Sequence, residues 1–194
     1  QREGAILDAA TRILTRRGFD LMTMDDVATE VGVSKPSLYK HFKSKEELAG
    51  ECMIRLLDAA SEHLSSLPDT MPAIDRMRSL LAWALHLRLQ GGLPFLPATS
   101  PHVRDMLVKN LGYTMRALKL NSALSKILSE AQKAGQIRKD LPDAVILFSF
   151  YSRTCDPAVE FLRLYSKLSN AEIVENMLAA YFSGLTATNA KPTL

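Results

Sequence analysis

Apolar residues recur every three or four positions along most of the chain, which is the spacing of one face of an α-helix. No segment alternates apolar and polar residues in the manner of a half-buried strand. The predicted fold class is therefore all-α. Helices are expected at residues 3–17, 24–31, 35–42, 45–67, 73–90, 102–119, 121–134, 142–167 and 171–185, with a loop at 91–101. The pattern leaves open whether the helices at 102–119 and 121–134 form one kinked helix.

Pro68 and Pro72 interrupt this pattern and mark the expected domain boundary. Three short helices bury too little apolar surface to be stable alone, so the long helix at 45–67 is expected to bridge two cores. We therefore predict a first domain at residues 1–47 and a larger helical domain at 48–186. The remaining residues, 187–194, are predicted to be a disordered tail.

Residues 23–48, TMDDVATEVGVSKPSLYKHFKSKEEL, predict two short helices joined by a tight turn. Gly32 ends the first helix, because glycine adopts the left-handed conformation without steric cost. Ser34 then supplies an oxygen that caps the second helix. That helix, at 35–42, is about 12 Å long and fits a DNA major groove about 12 Å wide. The stretch is thus predicted to be a helix-turn-helix.

The formal net charge is only +3, so the chain is not a polycation that coats nucleic acid. Four lysines nevertheless fall between residues 35 and 45 with no acid among them, where they can lie near phosphates. Leu38 and Phe42 are expected to point inward and hold the second helix. Its available polar side chains are Ser37, Tyr39, Lys40 and His41.

Together with ILDAATRILTRRGFD at residues 6–20, this stretch resembles the DNA-binding domain of the TetR family of bacterial transcriptional repressors. Pro36 is a mild departure, since the family often has a smaller residue there. The resemblance implies an N-terminal three-helix DNA-binding domain followed by a helical ligand-binding and dimerisation domain, and it favours repression over activation. It implies phosphate contacts from Thr23, Tyr39, His41 and Lys45. The resemblance also places Lys35, Pro36, Ser37 and Lys40 near base edges. Ser34, which caps their helix, belongs to the same predicted DNA-binding set.

One such module buries roughly 600–1,000 Å² against DNA, which is too little for tight specific binding. Two copies about 34–36 Å apart meet successive major-groove faces of a palindromic operator, so a homodimer is expected. The predicted interface is a four-helix bundle from residues 142–167 and 171–185 of each subunit. Its apolar candidates, which ordinary monomer core would explain equally well, are Phe150, Phe161, Met177, Tyr181 and Phe182.

The second domain is larger than dimerisation requires, which suggests a small-molecule sensor among the helices after Pro72. Because ligand pockets are mostly apolar and the basic residues here are dispersed, the effector is expected to be largely apolar or aromatic. No cofactor is expected. The candidate lining residues, each also a common core type, are Trp83, His86, Phe95, Tyr113, Phe148, Tyr151 and Cys155.

Other function classes have weaker support. The histidines and the two cysteines show no HExxH, CxxC or similar spacing, so neither an enzyme nor a metal site is predicted. A thiol-redox switch at Cys52 or Cys155 and an effector-independent architectural DNA-binding protein remain alternatives. Sparse cysteine, the lack of a signal-peptide pattern and the lack of a membrane-length apolar run predict a cytoplasmic protein with no membrane partner. The first residue is Gln1 rather than methionine, which leaves open an N-terminal arm before it.

Overall fold

The computed structural model describes residues 2–94, 96 and 100–186, and their regular structure is helical, which confirms the all-α prediction. Within these residues, a single antiparallel bridge between Ile137 and Thr186 lies outside the helices. Phe95 and the tail at 187–194, for which predictions were made, lie outside the described residues. The helices are α1 (Arg2–Leu21), α2 (Met24–Val31), α3 (Lys35–His41), α4 (Lys45–Ser66), α5 (Ala73–Leu89), α6 (Pro101–Lys109), α7 (Leu111–Lys133), α8 (Asp143–Thr154), α9 (Ala158–Tyr165) and α10 (Asn170–Ser183).

The chain forms two compact units, each built from two segments. The first unit consists of Gln1–Ser61 and Gln90–Lys119, and the second of Glu62–Leu89 and Leu120–Leu194. This division differs from the predicted boundary after residue 47, because the first unit also takes in most of α4, all of α6 and the start of α7. DNA binding by the first predicted domain, and ligand binding and dimerisation by the second, stay predictions.

The first unit has an apolar core made by α1 to α4 together with α6. Val103 and Leu107 of α6 are buried in the same cluster as Ile6, Phe19 and Leu48. On the outside of this unit, Glu30 of α2 accepts hydrogen bonds from two arginines of α1, at 2.8 Å from Arg12 Nε and 2.9 Å from Arg16 Nη2. The core and this ionic contact hold α2 against α1.

The second unit is built around α5, whose apolar residues cover most of its circumference. This helix packs against α8 and α10, and Phe150 and Phe182 are among the largest fully buried side chains. Arg88, near the end of α5, donates two hydrogen bonds to the Glu160 carboxylate at 3.0 and 2.7 Å. It also donates to the Thr154 carbonyl at 3.0 Å. Arg88 thus ties α5 to the corner between α8 and α9.

The break between α6 and α7 lies at Asn110 rather than at residues 119–121. Asn110 Oδ1 accepts a hydrogen bond from the Tyr113 N–H at 3.0 Å and so caps α7. The Asn121 side chain is also of a capping type, but no helix begins there. The buried side of α7 runs past Asn121, since Leu120 and Leu124 are both buried. The burial of that side keeps α7 continuous.

None of the helices in the described residues is long and apolar enough to cross a membrane.

Candidate nucleic-acid interface

The N-terminus of α2 is closed by a reciprocal capping box. Thr23 Oγ1 accepts a hydrogen bond from the Asp26 N–H at 3.1 Å, while the Asp26 carboxylate accepts from the Thr23 N–H at 3.2 Å and hydroxyl at 2.7 Å. The hydrogen bond from the Thr23 side chain is the largest influence on Asp26 and lowers the pKa of its carboxyl. Thr23 itself is exposed, beside the start of α2.

The turn between α2 and α3 has the backbone that its sequence predicts. Gly32 adopts φ 74° and ψ 35°, in the left-handed region. The Ser34 hydroxyl accepts a hydrogen bond from the Ser37 N–H at 3.3 Å and caps α3. Pro36 lies in the first turn of α3, where its missing N–H removes no helical hydrogen bond.

One side of α3 is buried and the other faces solvent. Leu38 is fully buried, and Phe42 at the C-cap is 2% exposed. The neighbouring Tyr39 is 41% exposed, although it is a large aromatic residue. Of the other predicted DNA contacts near α3, Ser37 is half-buried, and those that are exposed are Ser34, Lys35, Pro36, Lys40 and His41.

Two of the predicted DNA-contacting lysines already have partners within the chain. Lys45 donates from Nζ to the Phe19 carbonyl at 3.0 Å and lies 4.4 Å from the centre of the Phe19 ring. Lys35 Nζ lies 2.9 Å from both carboxylate oxygens of Asp25 in α2. The hydrogen bond to Asp25, followed by its charge, raises the pKa of Lys35. In the described part of the chain, Lys40 and Lys43 have no acidic partner within ion-pair distance.

Helix α6 also reaches the helices that hold α3. The His102 ring lies 5.7 Å from the Phe19 ring, and its Nε2 lies 3.6 Å from Glu46 Oε1. These α6 contacts were not predicted, because no local pattern shows that residues 101–109 share a core with residues 6–52. The apolar Val103 and Leu107, four residues apart, were the available signal.

Residues 6–52 match the profile of the bacterial regulatory proteins of the tetR family. The transcriptional activator FasR of Mycolicibacterium smegmatis is 48% identical over 48 residues, which are 25% of this chain and 22% of FasR. The transcriptional repressor KstR2 of Mycobacterium tuberculosis is 23% identical over 192 residues, covering 95% of this chain and 93% of KstR2. Among solved structures, AibR in complex with isovaleryl coenzyme A and operator DNA has a TM-score of 0.69 at 24% identity, covering 94% of this chain and 98% of AibR.

The DNA-binding part of the chain, residues 6–52, is of the TetR family. The family consists of DNA-binding transcriptional regulators rather than enzymes. The strongest sequence likeness is confined to the helix-turn-helix part, and the likeness to AibR extends the shared fold to the rest of the chain.

The predicted effector-site residues are spread over both units. Trp83 stacks on His63 with ring centres 5.6 Å apart, and Tyr151 donates a hydrogen bond to Asn121 Oδ1 at 3.1 Å. Both of these residues and the half-buried Cys155 belong to the second unit. Tyr113 belongs to the first unit, where it packs on the core and burial raises its pKa.

Two members of that set face solvent in the single chain. Phe148 is 70% exposed, and His86 is also exposed. Helical periodicity showed that both lie on predicted helices but did not show which way each faces. Neither side chain is enclosed by the single chain.

The predicted interface residues also divide into surface and core. Phe150 and Phe182 are buried within the single chain, and their predicted place in the interface stays a prediction. Tyr181 packs between their rings and donates to the Ile146 carbonyl at 3.0 Å. Met177 is half-buried. Phe161, in contrast, is 60% exposed.

Exposed apolar residues on α8, on α9 and just after α9 were missed. We call these residues and Phe161 the α8–α9 apolar surface: Val145, Phe148, Phe161, Leu164, Tyr165 and Leu168. The signal was present, because residues 161, 164, 165 and 168 have helical spacing on a different side from the buried Val159. A short helix with apolar residues on two sides needs a packing partner on each side.

The cysteines are free and differ in their surroundings. Cys52 is buried beneath α1, and desolvation raises the pKa of its thiol to about 11. A buried, protonated thiol is a poor nucleophile. In the described residues, no group of three or more His, Cys, Asp or Glu side chains that could hold a metal comes together.

Proposed function

We propose that this chain binds a palindromic DNA operator as a homodimer and represses transcription, and that a small, largely apolar or aromatic effector releases it. The observation that carries the proposal is the two-sided α3. Its buried Leu38 fixes the helix, while Tyr39, Lys40 and His41 remain in solvent. A short, exposed, polar helix held from behind by a core is the arrangement that a major-groove reader requires.

The proposed contacts divide by chemistry. Thr23, Tyr39, His41 and Lys45 bind phosphates and set the orientation of the protein on the duplex, which by itself carries little sequence information. Lys35, Pro36, Ser37 and Lys40 lie at the base edges and supply the discrimination. Ser34 contributes by capping α3.

The homodimer is supported by the α8–α9 apolar surface. Its members include Phe148 and Tyr165, which are 70% and 81% exposed in the single chain. Large apolar side chains exposed on two successive helices are typical of a surface that another protein covers. A second copy is the proposed occupant, because two half-sites of a palindrome require two copies of α3 related by a twofold axis.

The effector is proposed to bind the second unit. Helices α4 and α7 each carry residues of both units, so helical backbone connects the proposed effector unit to the DNA-binding unit. An effector shifts operator affinity only by its differential affinity for the two conformations. KstR2 gives the first apolar probe, a ketosteroid, and AibR gives isovaleryl coenzyme A, whose phosphates make it a polar comparison.

Selection of bound sequences from random DNA with the full chain tests the proposal. We expect a palindrome whose half-sites are one helical turn apart, about 10 base pairs or a multiple of it. Recovery of DNA with no consensus would overturn operator recognition and favour an architectural role. A promoter carrying the recovered sequence should lose reporter expression when the protein is present, whereas increased expression would indicate an activator.

Gel shifts on the recovered operator then test release. Each probe is titrated against the wild-type chain, and release at micromolar probe supports the sensor. Operator affinity that no apolar or aromatic compound alters would contradict it. Peroxide treatment tests the thiol-redox alternative. If peroxide abolishes operator binding through Cys155, a variant that lacks Cys155 must still bind the operator in peroxide.

A further inference from the structure

The ion pair between Asp25 and Lys35 joins the first turn of α2 to the first residue of α3. Lys35 Nζ is 2.9 Å from Oδ1 and from Oδ2 of Asp25. The two side chains are 65% and 52% exposed, so the pair faces solvent. Exposed ion pairs add little to folding stability, which leaves the position of the Lys35 ammonium as the main effect of the pair.

This pairing distinguishes Lys35 from the lysines that follow it. Within the described residues, Lys40 and Lys43 have no acid at ion-pair distance. An unpaired lysine samples many rotamers and is attracted to any nearby phosphate. Lys35 instead lies beside a carboxylate that offsets its charge. This weakens its attraction to phosphates in general and favours the rotamers that place its ammonium at the start of α3.

The position of the pair and its chemistry fit a base edge. Side chains at the N-terminal end of a recognition helix contact bases in the major groove. Guanine presents the acceptors O6 and N7 there, and its partner cytosine presents the N4 amino donor. The ammonium of Lys35 supplies donors, and the carboxylate of Asp25 supplies an acceptor directly beside them.

We propose that Asp25 determines sequence specificity by holding Lys35 so that the pair reads a G·C base pair in each operator half-site. This inference rests on the proposed DNA-binding function. Asp25 acts through Lys35, by directing its ammonium to the guanine of that base pair. Its negative charge also opposes non-specific attraction of Lys35 to phosphates.

The test compares sequences selected from random DNA by full-length variants. Asp25→Asn and Asp25→Ser remove the charge, Lys35→Gln removes the ammonium, and a double variant removes both. Asp20→Asn is the charge-matched control, because Asp20 is an exposed acid with no ion pair in the described residues. Circular dichroism establishes that each variant is folded.

We expect the wild type to recover a palindrome with G·C at one position of each half-site. Asp25→Asn and Asp25→Ser should recover the same palindrome with that preference reduced about tenfold. The slope of log K against log salt should steepen by about 0.9 per subunit, since Lys35 becomes free to bind a phosphate. Lys35→Gln and the double variant should share one relaxed preference, and Asp20→Asn should keep the wild-type preference.

Wild-type base preference and salt slope in both Asp25 variants would overturn the inference. So would losses of preference that add in the double variant, because Asp25 would then act independently of Lys35. A wild-type selection without any palindrome is a different outcome, since it defeats the proposed operator binding itself.

Discussion

Lys45 and Phe19 join the beginning of α4 to the end of the first helix. The Lys45 ammonium donates a hydrogen bond to the Phe19 carbonyl at 3.0 Å and lies 4.4 Å from the centre of the Phe19 ring. An ammonium has three N–H donors, so this contact leaves others for a DNA phosphate. Lys45 is therefore expected to support both the fold of the DNA-binding helices and their contact with DNA.

Replacing Lys45 by methionine should lower the free energy of unfolding by about 1 kcal/mol, because a cation–π contact and a charge-assisted hydrogen bond are lost. Operator affinity should fall as well. Lys43→Met is the matched control for stability, since the described contacts of Lys43 involve its backbone N–H and not its ammonium. Urea unfolding and gel shifts measure the two effects. Unchanged stability of Lys45→Met would show that the contact with Phe19 is unimportant in solution.

The neighbours Leu38 and Tyr39 should respond in opposite ways to truncation. Leu38→Ala removes a fully buried side chain and should cost about 2–5 kcal/mol of stability. Tyr39→Ala, at a position 41% exposed, should leave the melting temperature within a few degrees of wild type but abolish specific operator binding. Thermal unfolding followed by a gel-shift titration separates the two outcomes. Wild-type operator affinity in Tyr39→Ala would remove this residue from the proposed interface.

Gly50 allows α4 to approach Asn110 closely. A Cβ at Gly50 would lie 2.8 Å from Asn110 Nδ2, and the same asparagine caps α7 through its Oδ1. Gly50→Ala should therefore destabilise the protein by about 1–3 kcal/mol. Gly4→Ala, in α1 with no atom within 4 Å of its new methyl group, should be neutral or stabilising by up to about 1 kcal/mol. Equal effects of the two substitutions on chemical denaturation would contradict this close packing.

The aromatic residues of α8 provide a test of the proposed homodimer. Phe148→Asp alters an exposed side chain and should convert the dimer to a monomer while helical content is retained. Phe150→Ala alters a buried side chain and should instead cost about 3–5 kcal/mol of stability. Sedimentation velocity at micromolar concentration gives the mass. A monomeric wild-type protein would contradict the proposed homodimer, and a Phe148→Asp variant that stays dimeric would place the interface elsewhere.

The buried thiol of Cys52 predicts a pH-dependent loss of stability. Its pKa is raised from 9.0 to about 11 on folding, so the folded state favours the protonated form. The stabilisation associated with that proton is complete below pH 9 and is lost as the pH rises towards 11. The difference in stability between wild type and Cys52→Ala should therefore shrink over this range. Thiol labelling of the native protein at neutral pH should modify Cys155 first, and faster labelling of Cys52 would contradict its burial.

Local chemistry determined the helix-turn-helix before any fold was known. The Thr23 cap, Gly32 in the left-handed conformation and the Ser34 cap all act within four residues of their own positions, and each is present in the structure. The inward orientation of Leu38 and Phe42 was likewise predictable, because a two-turn helix has only one side that a small core can cover.

Contacts between residues far apart in the chain were decided by the tertiary structure. Sequence periodicity could not show that α6 completes the core of residues 6–52, that Asn110 rather than Asn121 begins a new helix, or that Phe148 is exposed while Phe150 is buried. Nor could a run of lysines reveal that Lys35 is paired with Asp25 and Lys45 with Phe19. The physical reason is range: caps and turns depend on backbone within one helical turn, whereas burial and ion pairing depend on which distant segment occupies the neighbouring space.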